Sequence, residues 1–259
     1  MPVITLLTDF GMSSPYVAAM KGAVLSINPA ATIVDLTHAI PPQDIRAGSL
    51  VWEELAWVFP PGTIHVAVVD PGVGTDRAIV CARIDERTYV CPDNGLLSRL
   101  TLNRSPTAVF RVENREFWRH PVSATFHGRD IMAPVAAQLS LGLDPARLGP
   151  LHGDLVALAW LHPVITPGRI EGHVLRVDSF GNVMTNIRGA MLAGTDDRPV
   201  YVTCKGRPAV AHVRYYAEGQ AGALVSLIGS SGWLELAVIG GNAAETLQAV
   251  PGDSVHVWW

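Results

Sequence analysis

Two short segments, well separated in the chain, concentrate side chains that can move a proton. The first is Val69-Asp70-Pro71-Gly72-Val73-Gly74-Thr75-Asp76-Arg77, and the second is Thr125-Phe126-His127-Gly128-Arg129-Asp130. In both, ionisable groups stand beside glycines where an apolar pattern breaks off. An acid, a guanidinium and an imidazole brought together can orient a water molecule and accept its proton. Taken alone, Asp70 also reads as a turn former, and an Asp70–Arg77 pair fits a structural ion pair as well as a site. His127 alone reads as a satisfied structural histidine. Asp70-Pro-Gly-Val-Gly is not a dinucleotide fingerprint, because the third glycine is missing and Arg77 leads into a strand instead of a helix.

Other polar positions carry paired readings. Asp9, in Thr8-Asp9-Phe10-Gly11, is either a turn residue or a carboxylate that accepts sugar hydroxyls after a strand. Pro92-Asp93-Asn94-Gly95 is a strong turn signal. Asp178-Ser-Phe-Gly-Asn182 is ordinary for a hairpin, as is Gly229-Ser230-Ser231-Gly232 followed by Glu235. The two together gather donors and acceptors in a small region. Tyr215-Tyr216 is core or a platform on which a base stacks. His152, His162, His173 and His212 show no ligand spacing and read as structural or exposed.

These residues need a frame, and the rest of the sequence supplies one. Hydrophobic residues make up 49 % of the 259 and charged ones 16 %, which excludes a disordered chain and allows one large or two smaller cores. The formal charge is −4, with lysines and arginines scattered singly, which argues against a nucleic-acid face. Neither a targeting segment nor a membrane span is expected: the apolar start is broken by Asp9, and the stretch 221–241 carries Glu235 and a turn. The three cysteines, Cys81, Cys91 and Cys204, have no metal spacing and read as reduced thiols of a cytoplasmic protein.

The fold class read from the patterns is α/β, with a mainly parallel N-terminal sheet bearing helices on both faces and a small C-terminal β-barrel after it. Strands are expected at Val3–Thr8, Thr32–Leu36, Thr63–Val69 and Thr107–Val112, with a hairpin of Ala78–Ile84 and Thr88–Cys91. Helices are expected at Tyr16–Ile27, Asp44–Val58 and Arg129–Leu141, with Asp44 as an N-cap. Pro and Gly punctuate the middle. The expected division is therefore 1–145 for the α/β domain, 146–168 for a linker and 169–259 for the barrel. Strands there are expected at Arg169–Val177, Val183–Ile187, Val200–Cys204, Ala209–Arg214, Leu224–Ile228, Trp233–Val238 and Ser254–Trp258. In a parallel sheet, Asp9, His38 and Asp70 would follow strand ends along one rim.

The motifs Thr8-Asp9-Phe-Gly11, Val69-Asp70-Pro-Gly-Val-Gly74, Pro92-Asp-Asn-Gly-Leu-Leu97, Thr125-Phe-His-Gly-Arg-Asp-Ile131, Phe180-Gly-Asn182 with Thr185-Asn186, and Gly229-Ser230 through Leu234-Glu-Leu-Ala237 occur in this order. Each is weak, but together they are specific, and over its whole length the chain resembles the S-adenosyl-L-methionine hydroxide adenosyltransferases, relatives of the fluorinating and chlorinating enzymes. The resemblance implies a seven-stranded N-terminal domain, a C-terminal barrel, and a homotrimer with sites at subunit interfaces. It also implies a small-molecule substrate and no cofactor or metal. Carried over by position, Asp70, Arg77 and His127 are the water-activating triad and Asp9 accepts the ribose diol. Asp178 and Ser230 contact the methionine amine and carboxylate. Asn182, Asn242, Ala243 and Tyr216 line the adenine pocket, and Glu235 is a further substrate contact. The halogenating relatives carry tyrosine where Asp70 stands, and the fluorinating ones serine in place of Gly128. A carboxylate repels a halide and accepts a proton from water, so the implied reaction is hydrolysis of S-adenosyl-L-methionine. The rival expectations are a halide-using synthase, a metal hydrolase built from Asp9, Asp70, Asp93 and His127, and a non-catalytic nucleoside binder.

Overall fold

The computed structural model describes residues 2–102, 104–193 and 199–259. The chain forms two compact units, Met1–Leu158 and Ala159–Trp259.

The first unit is a mixed α/β unit built on one six-stranded sheet. Its strands are β1 (Val3–Thr8), β2 (Thr32–Thr37), β3 (Ile64–Val68), β4 (Ile79–Ile84), β5 (Arg87–Pro92) and β6 (Ala108–Arg111). They lie in the order β2-β1-β3-β5-β4-β6, parallel from β2 to β5 and antiparallel from β5 to β6. Strand side chains alternate between faces. Ile4, Leu6, Val66 and Val68 join one core with α1 (Tyr16–Ile27) and α4 (Ala133–Ser140). Leu7, Ala67 and Val69 join another with α2 (Ile45–Leu55) and α3 (Ser98–Thr101). Helices therefore cover both faces, and Asp44 caps α2 by accepting a hydrogen bond from Ala47 N at 2.9 Å.

The resemblance implies a seventh strand, but among the described residues the sheet has six. At its β6 edge Leu151 makes only an isolated bridge to Phe110. Pro150 beside it has no N–H to extend a ladder. Gly149 adopts a φ of +155°, and a Cβ there would lie 2.4 Å from the Arg111 carbonyl oxygen. Much of the segment expected as a linker is held to the first unit. Asp93 pairs with His152 at 2.8 Å and accepts from Val156 N at 2.9 Å, and Ser98 Oγ accepts from Leu158 N at 2.9 Å.

The second unit carries β7 (Val164–Thr166), β8 (Arg169–Val177), β9 (Val183–Arg188), β10 (Tyr201–Cys204), β11 (Arg207–Pro208), β12 (Ala211–His212), β13 (Leu224–Ile228), β14 (Trp233–Val238) and β15 (Ser254–Trp258), with one short helix, α5 (Ala243–Leu247). Among the described residues the pairing runs from β11 through β10, β15, β8, β9, β14 and β13 to β12, with β7 on β8. The two ends of that path, β11 and β12, are separated in the chain only by Ala209 and Val210, whose N–H groups donate to Val202 O of β10 at 2.9 Å and Leu224 O of β13 at 2.8 Å. The strand expected over 209–214 shrinks to Ala211–His212, and α5 has no counterpart among the expected elements.

Candidate active site

Parallel pairing sets Thr8 of β1 beside Val68 of β3, so Asp9 and Asp70 leave the same edge of the sheet. The loop after β3 then turns back on itself, and Gly74 makes the turn possible. Its φ is +82°, and a Cβ there would lie 2.4 Å from the carbonyl oxygen of Ala124. This contact brings the loop of Asp70 and Arg77 against the segment that carries His127.

His127 stands just before a π turn, Gly128–Met132, that leads into α4. The sequence accounts for that turn. Pro134 has no N–H to donate to the Asp130 carbonyl, which instead accepts from Arg119 N at 2.8 Å. The Asp130 carboxylate is fully buried. It accepts from Arg129 Nε at 2.7 Å, from Arg119 at 3.0 Å and from Ser123 N at 2.9 Å. Burial opposes its ionisation, but these donors outweigh burial and hold its pKa below the usual value. Gly128 lets the backbone close on the sheet, since a Cβ there would lie 3.2 Å from Val68 and 3.3 Å from Met20 Sδ.

The two segments meet. Arg77 Nε donates to both Asp70 oxygens, at 3.0 and 3.1 Å, and its terminal nitrogen donates a short bond to Asp70 Oδ2. The same terminal nitrogen is 2.9 Å from His127 Nδ1. A guanidinium only donates, so Nδ1 is the acceptor and His127 carries its proton on Nε2. Burial lowers the His127 pKa and Arg77 lowers it further, while Asp70 and Asp130 pull the other way. The net direction is down, which keeps the imidazole neutral.

Asp9 accepts from Gln43 N at 2.8 Å. Asp93 is engaged with His152, and Asn94 ties the end of β3 by donating to Val69 O at 2.9 Å. No group of three His, Cys, Asp or Glu among the described residues is arranged to hold a metal ion.

The second unit gathers its own polar set. Asp178 follows β8 and folds its loop, accepting from Phe180 N at 2.9 Å, Asn182 N at 2.8 Å and Asn182 Nδ2 at 3.1 Å. Glu235 lies buried in β14 and accepts a short bond from the Tyr216 hydroxyl. It sits under the next turn, because a Cβ at Gly229 would lie 2.3 Å from Glu235 Oε2. Burial raises the Glu235 pKa and Asp178 adds to the rise, while Tyr216 and Arg176 oppose it. Burial, Glu235 and Asp178 likewise raise that of Tyr216. Ser230 is exposed on the same turn.

Asn242 and Ala243 have plain structural jobs here. Asn242 Oδ1 caps α5 by accepting from Glu245 N at 2.9 Å, and the Ala243 methyl is buried in the core. Phe180 was not among the candidates. It is 78 % exposed within the Asp178 loop, and an aromatic residue in a Gly-Asn turn was the signal available.

Residues 4–149 match the profile of the SAM hydroxide adenosyltransferase N-terminal domain, and residues 172–256 that of its C-terminal domain. The chain belongs to the SAM hydroxide adenosyltransferase family. It is 40 % identical to an (R)-S-adenosyl-L-methionine hydrolase of Salinispora arenicola, over 99 % of this chain and 97 % of that one. A protein of the same name from Thermus thermophilus is also 40 % identical, over 98 % of each. A fluorinase of Nocardia brasiliensis shares 27 % identity over 99 % of this chain and 96 % of its own. Among solved structures, an uncharacterized conserved protein from Thermotoga maritima aligns with a TM-score of 0.94 at 35 % identity, covering 99 % of this chain and 100 % of that one.

Proposed function

We propose that this member of the family hydrolyses S-adenosyl-L-methionine to adenosine and L-methionine by in-line attack of water at the ribose C5′. The observation that carries the reading is the Asp70–Arg77–His127 contact set, together with a carboxylate at the position where halogenating relatives carry tyrosine. The C5′–O bond forms as the C5′–S bond breaks, and the electron pair leaves with sulfur. The sulfonium needs no proton to depart, so the difficulty lies with the nucleophile, because bulk water has a pKa near 15.7.

Hydrogen-bond directions divide the labour. Arg77 occupies His127 Nδ1, which leaves the imidazole an Nε2–H that donates to the attacking oxygen. Asp70 Oδ2 receives Nε and one terminal nitrogen of Arg77, and Oδ1 receives only Nε. Oδ1 therefore keeps a lone pair, and we assign it the proton of the attacking water. Arg77 stabilises the developing hydroxide. Holding oxygen and carbon in near-attack geometry contributes about 7 kcal/mol or more towards the barrier.

In this reading Asp9 accepts the ribose diol, Asp178 and Ser230 hold the methionine end, and Glu235 acts alongside them. Tyr216, Asn182, Asn242 and Ala243 serve the adenine. The finer architecture it calls for is a mainly parallel sheet, a closed C-terminal barrel, and a homotrimer whose sites draw on two copies. Mixing Arg77→Ala and Asp178→Ala chains restores activity if two copies build each site, and does not if one copy suffices. The free, buried Cys81, Cys91 and Cys204 fit the reducing cytoplasm expected for it. Incubation with S-adenosyl-L-methionine followed by chromatography tests the reaction itself. Equal yields of adenosine and methionine support it, and intact substrate after prolonged incubation contradicts it.

A further inference from the structure

Beneath Asp9 lies a chain of buried polar groups that the proposed mechanism does not use. Thr8 is fully buried and His38 is 2 % exposed, so neither touches a ligand directly. His38 Nδ1 lies 2.9 Å from Thr8 Oγ1, and Thr8 Oγ1 accepts from Phe10 N at 3.2 Å. The His38 carbonyl accepts from Gly11 N at 2.8 Å. One residue thus grips the chain on both sides of Asp9: residue 8 through its ring and residue 11 through its backbone.

The ring has its own anchor. Asp35 Oδ1 is 3.1 Å from His38 Nε2, within ion-pair reach though not aligned as a full hydrogen bond, and Lys21 donates to Asp35 Oδ2 at 2.6 Å. A carboxylate on the Nε2 side favours the proton there. Nδ1 is then the acceptor for the Thr8 hydroxyl, whose oxygen takes the Phe10 N–H. The bonds run in one direction from Phe10 to Asp35, and each group has a role consistent with its neighbours.

We infer that His38 is a positioning residue that sets the Asp9 carboxylate for the ribose diol, acting through Thr8 and the Gly11 backbone, with Asp35 orienting its ring. The inference rests on the reading of Asp9 as diol acceptor, and the test separates the two. The measurement is kcat and KM for S-adenosyl-L-methionine and for its 2′-deoxyribose analogue, in the native protein and in Asp9→Asn, Thr8→Val, Thr8→Ser and Asp35→Asn. The native protein favours the ribose substrate, and Asp9→Asn erases that preference. Thr8→Val lowers the preference by about tenfold, the worth of one lost hydrogen bond, through KM with kcat little changed. Thr8→Ser restores it. Asp35→Asn, at a half-exposed site that tolerates change, moves it in the same direction by less.

If Asp9→Asn erases the preference while Thr8→Val and Asp35→Asn leave it intact, His38 is merely structural and the inference falls. If Asp9→Asn leaves the preference intact, the Asp9 reading falls and takes the inference with it. Should Thr8→Val not fold, Asp35→Asn decides alone: an unchanged preference overturns the inference.

Discussion

The triad of the first unit and the polar set of the second use similar residues in opposite ways. In the triad, one guanidinium lies against one carboxylate and one imidazole, and each group fixes the state of the next. In the second unit two carboxylates, Asp178 and Glu235, repel each other and are met mainly by backbone N–H groups, an amide and a phenol, with Arg176 as a counter-charge. On the proposed reading the first arrangement is preorganised for a reacting atom. The second keeps negative potential in reserve, which suits a cationic ligand such as an ammonium or a sulfonium. The difference predicts where mutations should act: on kcat in the first unit and on KM in the second.

The largest effect is expected from Asp70→Asn, which removes the acceptor and should cut kcat by about 10²–10⁴-fold with KM little changed. Arg77→Lys should follow, with a loss of about 10²–10³-fold, since a point charge cannot bridge Asp70 and His127 as the planar fork does. Combining the two should cost far less than the product of the single losses, because the residues act as one unit. In the second unit, Asp178→Asn should raise KM by about tenfold or more at nearly constant kcat, the worth of one charge-assisted hydrogen bond. A fall in kcat alone would break the division between the two regions. Steady-state kinetics checks all four.

Asp130→Asn should lower stability by about 1–3 kcal/mol in denaturant melts, because a buried acceptor loses charge while Arg119 and Arg129 remain partly solvated. The smallest effect concerns pH. The lowered His127 pKa means that kcat/KM should hold as pH falls through 6.5 and decline only below it. Stability follows the same sign. His65, fully buried against Thr5 and Tyr89, has its pKa pushed down to about 3. The unfolded chain therefore binds the extra proton first, and the stability present above pH 6.5 is lost as pH falls towards 3.

Much of this was legible in the sequence. Strands β1, β8, β13, β14 and β15 fall where alternation and turn residues put them, and Asp44 caps the helix it precedes. The meeting of Asp70, Arg77 and His127 was an expectation from strand ends along one rim. Arg77 does lie against both Asp70 and His127, and the close approach of Gly74 to Ala124 beside them is something no local pattern encodes. The features that escaped depend on partners distant in sequence. Nothing local marked Asp130 out within the His127 segment, and it is Arg119 and Ser123 across the loop that make it an anchor there. His38 was expected along the rim after a strand, and instead it is buried where β1–β2 pairing brings it to Thr8. Helix α5 is too short for periodicity to reveal, and Asn242, its cap, carried no helical run after it.

The central claim is that the Asp70 carboxylate selects water as the nucleophile. Reaction of S-adenosyl-L-methionine in heavy-oxygen water, with chloride and fluoride present, tests it most directly by mass spectrometry of the nucleoside product. The account predicts adenosine carrying one labelled oxygen at C5′ and no halogenated nucleoside. A 5′-halo-5′-deoxyadenosine product, or adenosine without label, would contradict it.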